Sequence, residues 1–361
     1  MSGAALHAAV FTAGALAGGT AAYLSTRRNA SAGVAPPLTP PGRANTTPSR
    51  GASTEVSPVP IRPEVLKPAG LGDVSLFSPA NLPVLKYGNP GPIADPLVRQ
   101  AYVAAYDRRL RHPAWTAEHL TLASLGRSNI FVPSETTESG DRTKSTFKED
   151  ASLPASFRAK LSDYMRSGYD RGHMVPAADA KFSQSAMDET FLLSNIAPQV
   201  GEGFNRHYWA YLEDWCRRLT GSFSDVYVFT IPLYLPKQGL DGKWRVSYEV
   251  IGSPPNIAVP THFAKVVLAT KPSSPSTPDL VEISQGAFVL PNAPIPDDTP
   301  LASFVIPVEA VEKAAGLTLV SETLLAQSKH ICKTTRCQVV VRRFDEARKR
   351  PEHKRAISSP K

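Results

Sequence analysis

Downstream of residue 225 the chain is a succession of short apolar runs: VYVFTI (226–231), RVSYEVIG (245–252), HFAKVVLAT (262–270), AFVLPN (287–292) and LASFVIP (301–307). They are rich in Val, Ile, Phe and Tyr and are cut by Pro or Gly, as strands bounded by turns are. A helix pattern, PVEAVEKAAG stopped by Gly316, follows the last of them. Strand and helix signals interleave without a βαβ rhythm. The expectation is therefore an α+β fold with a mixed, mainly antiparallel sheet and flanking helices. With 361 residues and 42% hydrophobic content, a substantial core is available.

Upstream, DPLVRQAYVAAYDRRLRHPAWTAEHLT is helix-like from Asp95 to Ala101, open between helix and strand over AYVAAYDRR, and extended over HPAWTAEHLT. The folded domain is expected over residues 76–344. Residues 29–75 are rich in Pro, Ser, Thr, Ala and Gly and read as a disordered linker, because such a stretch buries too little apolar surface to offset its ordering entropy. Residues 345–361 read as a charged disordered tail whose Arg and Lys add non-specific attraction to phosphates. No internal repeat is visible.

From Ala4 to Leu24 no formally charged residue occurs, and Arg27 and Arg28 follow. The run is long enough to span a bilayer, at about 20 residues, but it is built from Ala and Gly. Acidic residues are missing from the first fifty positions while arginines are scattered among Ser, Thr and Ala, which leans towards organelle import. Residues 1–28 are read as a mitochondrial targeting or membrane-anchor segment. The net charge of +8 suits a polyanionic partner. The cysteines, Cys216, Cys332 and Cys337, are too few for a disulfide framework, and no CxxC pair marks structural zinc. Cys332 and Cys337 are close enough to bridge, but ordinary thiols are the expectation.

YDRGHMVPAAD (169–179) gathers Asp170, Arg171 and His173 around Gly172. A salt-bridged surface turn accounts for such a cluster; so does a base beside an anion clamp. Phosphodiester hydrolysis needs water to lose a proton and the phosphate charge to be offset. Imidazole titrates near neutrality, so His173 suits the base. In an extended motif Arg171 and His173 share a face and Asp170 points away, as a partner orienting a neighbouring Arg. Gly172 would let a sugar-phosphate approach the backbone.

Residues 205–219 read as a helix with Trp209, Leu212, Cys216 and Leu219 on one buried stripe, which Asn205 continues. An N-cap is the plain account of Asn205; an amide oxygen offered to a metal is the sharper one. Glu213 lies about 80° around the helix and about 12 Å along it from Asn205, too far to share one coordination shell easily. It would act on metal-bound water. Mg²⁺ keeps several waters and takes few protein ligands, so one Asn oxygen suffices.

The motif DRGHMVPAA (170–178) resembles the signature of the DNA/RNA non-specific endonucleases, the ββα-metal nucleases. FSQSAMDETFLLSNIAPQ, NRHYWAYLED, IAVPTHFAKV (257–266) and FVLPNAPI (288–295) are similar to segments of the mitochondrial members, in order, over roughly residues 76–325. The resemblance implies a Mg²⁺-dependent enzyme, with Mn²⁺ as a substitute, cutting DNA and RNA to 5′-phosphate ends. It implies His173 as general base, Asn205 as the protein ligand of the metal, Glu213 holding metal-bound water, Arg171 on the scissile phosphate and Asn195 in a supporting hydrogen bond. It also implies a homodimer in the mitochondrial intermembrane space or at the inner membrane. The loop QVGEGFN before Asn205 looks one residue longer than in animal members, as in fungal ones. A second basic phosphate contact is expected near TKSTFKED, from Lys144 or Lys148. The segment ICKTTRCQVVVRRF (331–344) resembles a fungal extension, and QVVVRRF would add an edge strand. An inactivated nuclease fold that only binds nucleic acid, or another phosphodiesterase, are the competing readings.

Overall fold

The computed structural model describes residues 93–127, 139–274 and 276–341. The targeting or anchor segment, the linker and the charged tail lie outside the described residues. The main sheet begins with an antiparallel meander of β1 (Ala94–Val98), β2 (Tyr102–Asp107) and β3 (His112–Leu120). Later in the chain come a short pair, β4 (Asp170–His173) with β5 (Ile196–Gln199), then β6 (Asp225–Leu233). Two small hairpins follow: β7 (Lys237–Gln238) with β8 (Trp244–Arg245), and β9 (Val250–Ile251) with β10 (Ile257–Ala258). The long hairpin β11 (His262–Ser274) and β12 (Thr277–Pro291), with β13 (Val305–Ile306) and β14 (Lys329–His330), completes the sheet. Its order is β1-β2-β3-β6-β11-β12-β13, antiparallel except for β14, which runs parallel to β12. The helices are α1 (Gln184–Thr190), α2 (Trp209–Leu219), α3 (Val308–Ala315), α4 (Glu322–Gln327) and α5 (Ile331–Thr334).

Alternation along the central strands explains the layering, since successive side chains point to opposite faces. Val226, Val228, Phe263, Val267, Phe288 and Leu290 meet the α2 stripe of Trp209, Leu212, Cys216 and Leu219 in one core. Ile231, Ala264, Val266 and Ala287, from the other face, pack on Val308 and Val311 of α3. Helix α3 ends at Gly316, whose φ of 70° is the left-handed conformation that suits glycine at this position. The helix that carries the candidate site is thus fixed by the core. Burying each large apolar side chain in it is worth roughly 1.5–3 kcal/mol.

Several expectations are corrected. Asp95–Ala101 holds strand β1 where a helix was expected: Leu97 is buried and Val98 is 77% exposed, a period of two, and Pro96 is tolerated because the strand lies at the sheet edge. RVSYEVIG is paired only at its ends, and Val246, Tyr248 and Val250 stay exposed. LASFVIP is a 3₁₀ turn, Leu301–Phe304, ahead of the two-residue β13. Gln338–Val341 form no strand; this stretch covers α2 as irregular chain, Trp215 Nε1 donating to the Arg336 carbonyl and Val339 entering the core. Cys332 and Cys337 are joined in a disulfide rather than free, because the turn of α5 brings their Cα atoms to 5.1 Å.

Candidate active site

Strand β4, backed by its partner β5, forms one wall of a cavity of about 1070 Å³, and the start of α2 forms another. Arg171 and His173 share a face as their spacing requires: the Arg171 guanidinium lies 4.5 Å from the Phe147 ring centroid and the His173 ring 5.3 Å from it. Phe191 meets His173 edge-on at 4.7 Å. His173 is 8% exposed, and its buried Nε2 has no hydrogen-bond partner. Burial, reinforced by the positive charge of Arg142, lowers its pKa to about 3, so the imidazole is neutral at physiological pH.

Asn195 is fully buried and braces the chain behind His173. Its Nδ2 donates to the carbonyls of Val175 and Thr190, its Oδ1 accepts from Val175 N–H, and its own carbonyl accepts from Met174 N–H. It does not line the cavity. Gly172 has a different use from that expected. A Cβ there would come within 2.1 Å of the Gln199 side chain, so the glycine leaves room for a buried glutamine of the paired strand, not for substrate. Gly172→Ala is expected to destabilise the protein by about 1–3 kcal/mol through overpacking, measured by urea unfolding. Gln199→Ala in the same chain should recover part of that loss, and no recovery would show that the crowding is elsewhere.

Asn205 is not an N-cap. It lies in a π-type segment, Gly201–Tyr208, that is kinked at the non-helical Glu202 (ψ 135°) and Gly203 (φ 74°); across the kink Asn205 N–H reaches back five residues to the Val200 carbonyl at 2.9 Å, and Trp209 N–H likewise reaches Phe204. Its Nδ2 donates to Asp170 Oδ2 at 2.9 Å, and Arg206 grips the same carboxylate with two hydrogen bonds of 2.8 and 2.6 Å. Asp170 does orient a neighbouring Arg, but it also holds Asn205 and borders the cavity instead of pointing away from it. Burial pushes its pKa up; the hydrogen bonds from Arg206 and Asn205 outweigh that, and it titrates below its ordinary range. With Nδ2 committed to a carboxylate, Oδ1 is the Asn205 atom left to accept or ligate.

Glu213 borders the same cavity from α2. Burial raises its pKa to about 7, against the opposing pull of Lys265 and Arg217. Among the described residues no group of three or more His, Cys, Asp or Glu gathers as a metal cage. Beside the His173 imidazole, the cavity offers a cation two oxygen donors, the Asn205 amide and the half-buried Glu213 carboxylate, with Asp170 already engaged. Those residues fit a hard cation that keeps most of its water.

Of the basic residues at the cavity, three were missed by the sequence reading: Arg142, Arg206 and Arg217. Arg142, not Lys144 or Lys148, is the upstream cation at its rim. Lys148 is used through its backbone, bridging Phe191 and Leu193. Arg217 stands one turn after Glu213 on α2, where spacing alone places it on the same face. It is bound to Asp179 at 2.7 Å, and both are buried. Nothing local in the sequence singles out Arg142 from the lysines beside it.

A family model of DNA/RNA non-specific endonucleases matches residues 80–325. The chain is 51% identical to "Nuclease 1, mitochondrial" of Schizosaccharomyces pombe over 267 residues, covering 74% of this chain and 79% of that protein. It is 42% identical to "Endonuclease G, mitochondrial" of Homo sapiens over 239 residues, 66% of this chain and 73% of that one. Among solved structures it matches a chain of the EndoG/EndoGI inhibition complex with a TM-score of 0.57 and 44% identity, over 67% of this chain and 93% of that chain. These likenesses place the chain in the DNA/RNA non-specific endonuclease family: it is a hydrolase, an endonuclease with the ββα-metal nuclease fold.

Proposed function

We propose that the protein is a Mg²⁺-dependent, sugar-non-specific endonuclease of the mitochondrion that hydrolyses phosphodiester bonds in both DNA and RNA. The observation that carries this reading is the meeting of a neutral, buried His173 with Arg171, Asn205 and Glu213 around one cavity. His173, whose ring borders the cavity, takes the proton from the attacking water. Burial is the larger cause of its low pKa; a phosphodiester anion lying against Arg142 would offset the smaller, charge-derived part and raise the basicity of the imidazole to that extent when substrate is bound. Arg171 neutralises the scissile phosphate, and Asn195 fixes the backbone that aims His173. Asn205 Oδ1 would ligate Mg²⁺, or Mn²⁺ in its place, and Glu213 would hold water of the metal's shell. When bound, the cation supplies Lewis-acid stabilisation of charge on the phosphate and the leaving oxygen.

Contacts to phosphate rather than to base edges account for indifference to sequence. The mitochondrial placement rests on the names of the relatives and on the reading of residues 1–28, and the intermembrane space or inner membrane on the family resemblance. The homodimer rests on the family resemblance.

Digestion of plasmid DNA and of RNA with Mg²⁺, with and without chelator, tests the reading. Both substrates should be cut, and chelator should abolish cutting. Survival of activity in excess chelator, or cleavage confined to small nucleotides, would overturn it. Asn205→Ala should weaken Mn²⁺ binding, read by electron paramagnetic resonance, at least about 10-fold, on the scale of lost metal-site contacts. Parental affinity in that variant would refute the ligand assignment.

A further inference from the structure

The segment Asn292–Ile295 leaves β12 away from the cavity wall, and no role in the reaction falls to it directly. It is nevertheless joined to the loop that delivers Asn205 at two points. Asn292 Oδ1 accepts from Val200 N–H at 2.8 Å, and Ile295 N–H donates to the Gly203 carbonyl at 3.1 Å. Val200 is the residue whose carbonyl receives Asn205 N–H, so its position sets that of Asn205 one hydrogen bond later. Gly203, with φ 74°, lies so close to Pro294 that a Cβ would meet Pro294 Cβ at 2.7 Å.

Asn292 uses its remaining hydrogen-bonding capacity elsewhere. Its Nδ2 donates to the carbonyls of Pro198 at 3.1 Å and Pro260 at 2.9 Å, and its backbone N–H donates to Thr261 at 3.0 Å. Pro198 is the register partner of Arg171 on the strand that carries His173. A single half-buried amide therefore ties β5, the loop ahead of β11 and the first residue before the π-type segment. Prolines supply two of its acceptors. They have no N–H of their own to pair, and their carbonyls would otherwise need another donor.

We infer that Asn292 is a positioning residue that sets the register between the two halves of the site, the His173–Arg171 strand pair and the Asn205 loop. The inference rests on the proposed reading of Asn205 as metal ligand. Outer contacts that hold a ligand typically matter about 10- to 100-fold in metal affinity or activity.

Hydrogen exchange on the full chain gives a readout that does not depend on any metal. In Asn292→Ala, amides of residues 199–206 should exchange faster, while those of β6 and β11 keep their parental protection. In the same variant, kcat on plasmid DNA should fall roughly 10- to 100-fold, KM should change less than about 3-fold, and Mn²⁺ affinity should fall about 10-fold. Asn292→Asp is isosteric and keeps the acceptor for Val200 N–H while losing both donations. It should show nearly parental exchange at residue 200 and a smaller loss of kcat, and it serves if the alanine variant fails to fold. Unchanged exchange at 199–206 overturns the inference. So does faster exchange with parental kcat and Mn²⁺ affinity, since the loop would then be held to no purpose. If Asn205→Ala itself binds Mn²⁺ like the parent, it is the metal-ligand reading that fails, and the exchange data still decide whether Asn292 holds the loop.

Discussion

His173→Ala is expected to lower kcat on plasmid DNA by about 10²–10⁴-fold, the usual contribution of a positioned general base, while KM changes little. The prediction follows from the way the imidazole is held. It sits between Phe147 and Phe191, donates and accepts nothing through Nε2, and borders the cavity that Arg171 and Asn205 also border. No other side chain depends on Nε2 for a hydrogen bond, so the alanine variant leaves no orphaned Nε2 partner and should keep its fold. Single-turnover cleavage with saturating Mg²⁺ separates this effect from binding. A rate within about threefold of the parent would remove His173 from the mechanism, because the smallest expected base contribution is far larger. The sign of the charge effect can be checked alongside. Arg142 lowers the pKa of His173, so Arg142→Gln should move that pKa upward, detectable by NMR titration of the ring.

The fold was legible in the sequence where alternation met a real neighbour. Asp225–Leu233 and His262–Ser274 pair with each other over Asp225–Leu233 against His262–Thr270, and their two faces feed two different helices. The α2 stripe was legible for the same reason. Where alternation was present but pairing was absent, as in Val246–Glu249, the sequence overstated the strand. Asp95–Ala101 misled in the opposite direction, since Leu97, Val98 and Ala101 satisfy a helical stripe as well as an edge strand. Only the register Ala94–Val98 against Val103–Asp107, with the Arg108–Asp95 ion pair at 2.6 Å, decides between them.

Local motifs placed His173, Arg171, Asn205 and Glu213 around one cavity, and the resemblance supplied Asn195, but most of the residues that hold them there were not legible. Asp170 reaches Asn205 across a separation of 35 positions, Asn292 reaches Val200 across 92, and Arg142 arrives at the rim from a loop with no distinguishing pattern. Those links are tertiary and leave no periodic trace. Gly172 shows the same limit, because a glycine flanked by Arg and His suggests access for a ligand. The constraint in fact comes from Gln199 on the adjacent strand.

Arg217→Met should destabilise the protein by about 3–5 kcal/mol, the cost of breaking a buried ion pair by removing one partner. Beneath the cavity the acidic side chains are Glu118, Asp179, Glu213 and, at 4.0 Å from Arg217, Asp214, and the cations acting on them are Arg217, Lys265 and Arg142. Lys265 is 1% exposed, donates to Thr230 Oγ1 at 2.8 Å and lies 4.9 Å from the Trp209 ring centroid, so it cannot swing over to replace the guanidinium. Without Arg217, Asp179 loses its 2.7 Å contact inside the protein, beside Glu118, whose pKa burial and Asp179 already drive well above the carboxylate range. Glu213, already raised to about 7, should climb further, because Arg217 is one of the charges that hold it down. A raised carboxyl pKa favours folding below it and costs stability as pH rises through it. The destabilisation of the methionine variant should therefore be larger at pH 8 than at pH 6. Urea unfolding at both pH values measures this, and Arg217→Lys, which keeps the charge but not the planar fork, should lie between parent and methionine. A loss under about 1 kcal/mol at pH 8 would mean that the pair is solvated like a surface bridge, and the charge balance beneath the cavity would have to be assigned to Lys265 and Arg142.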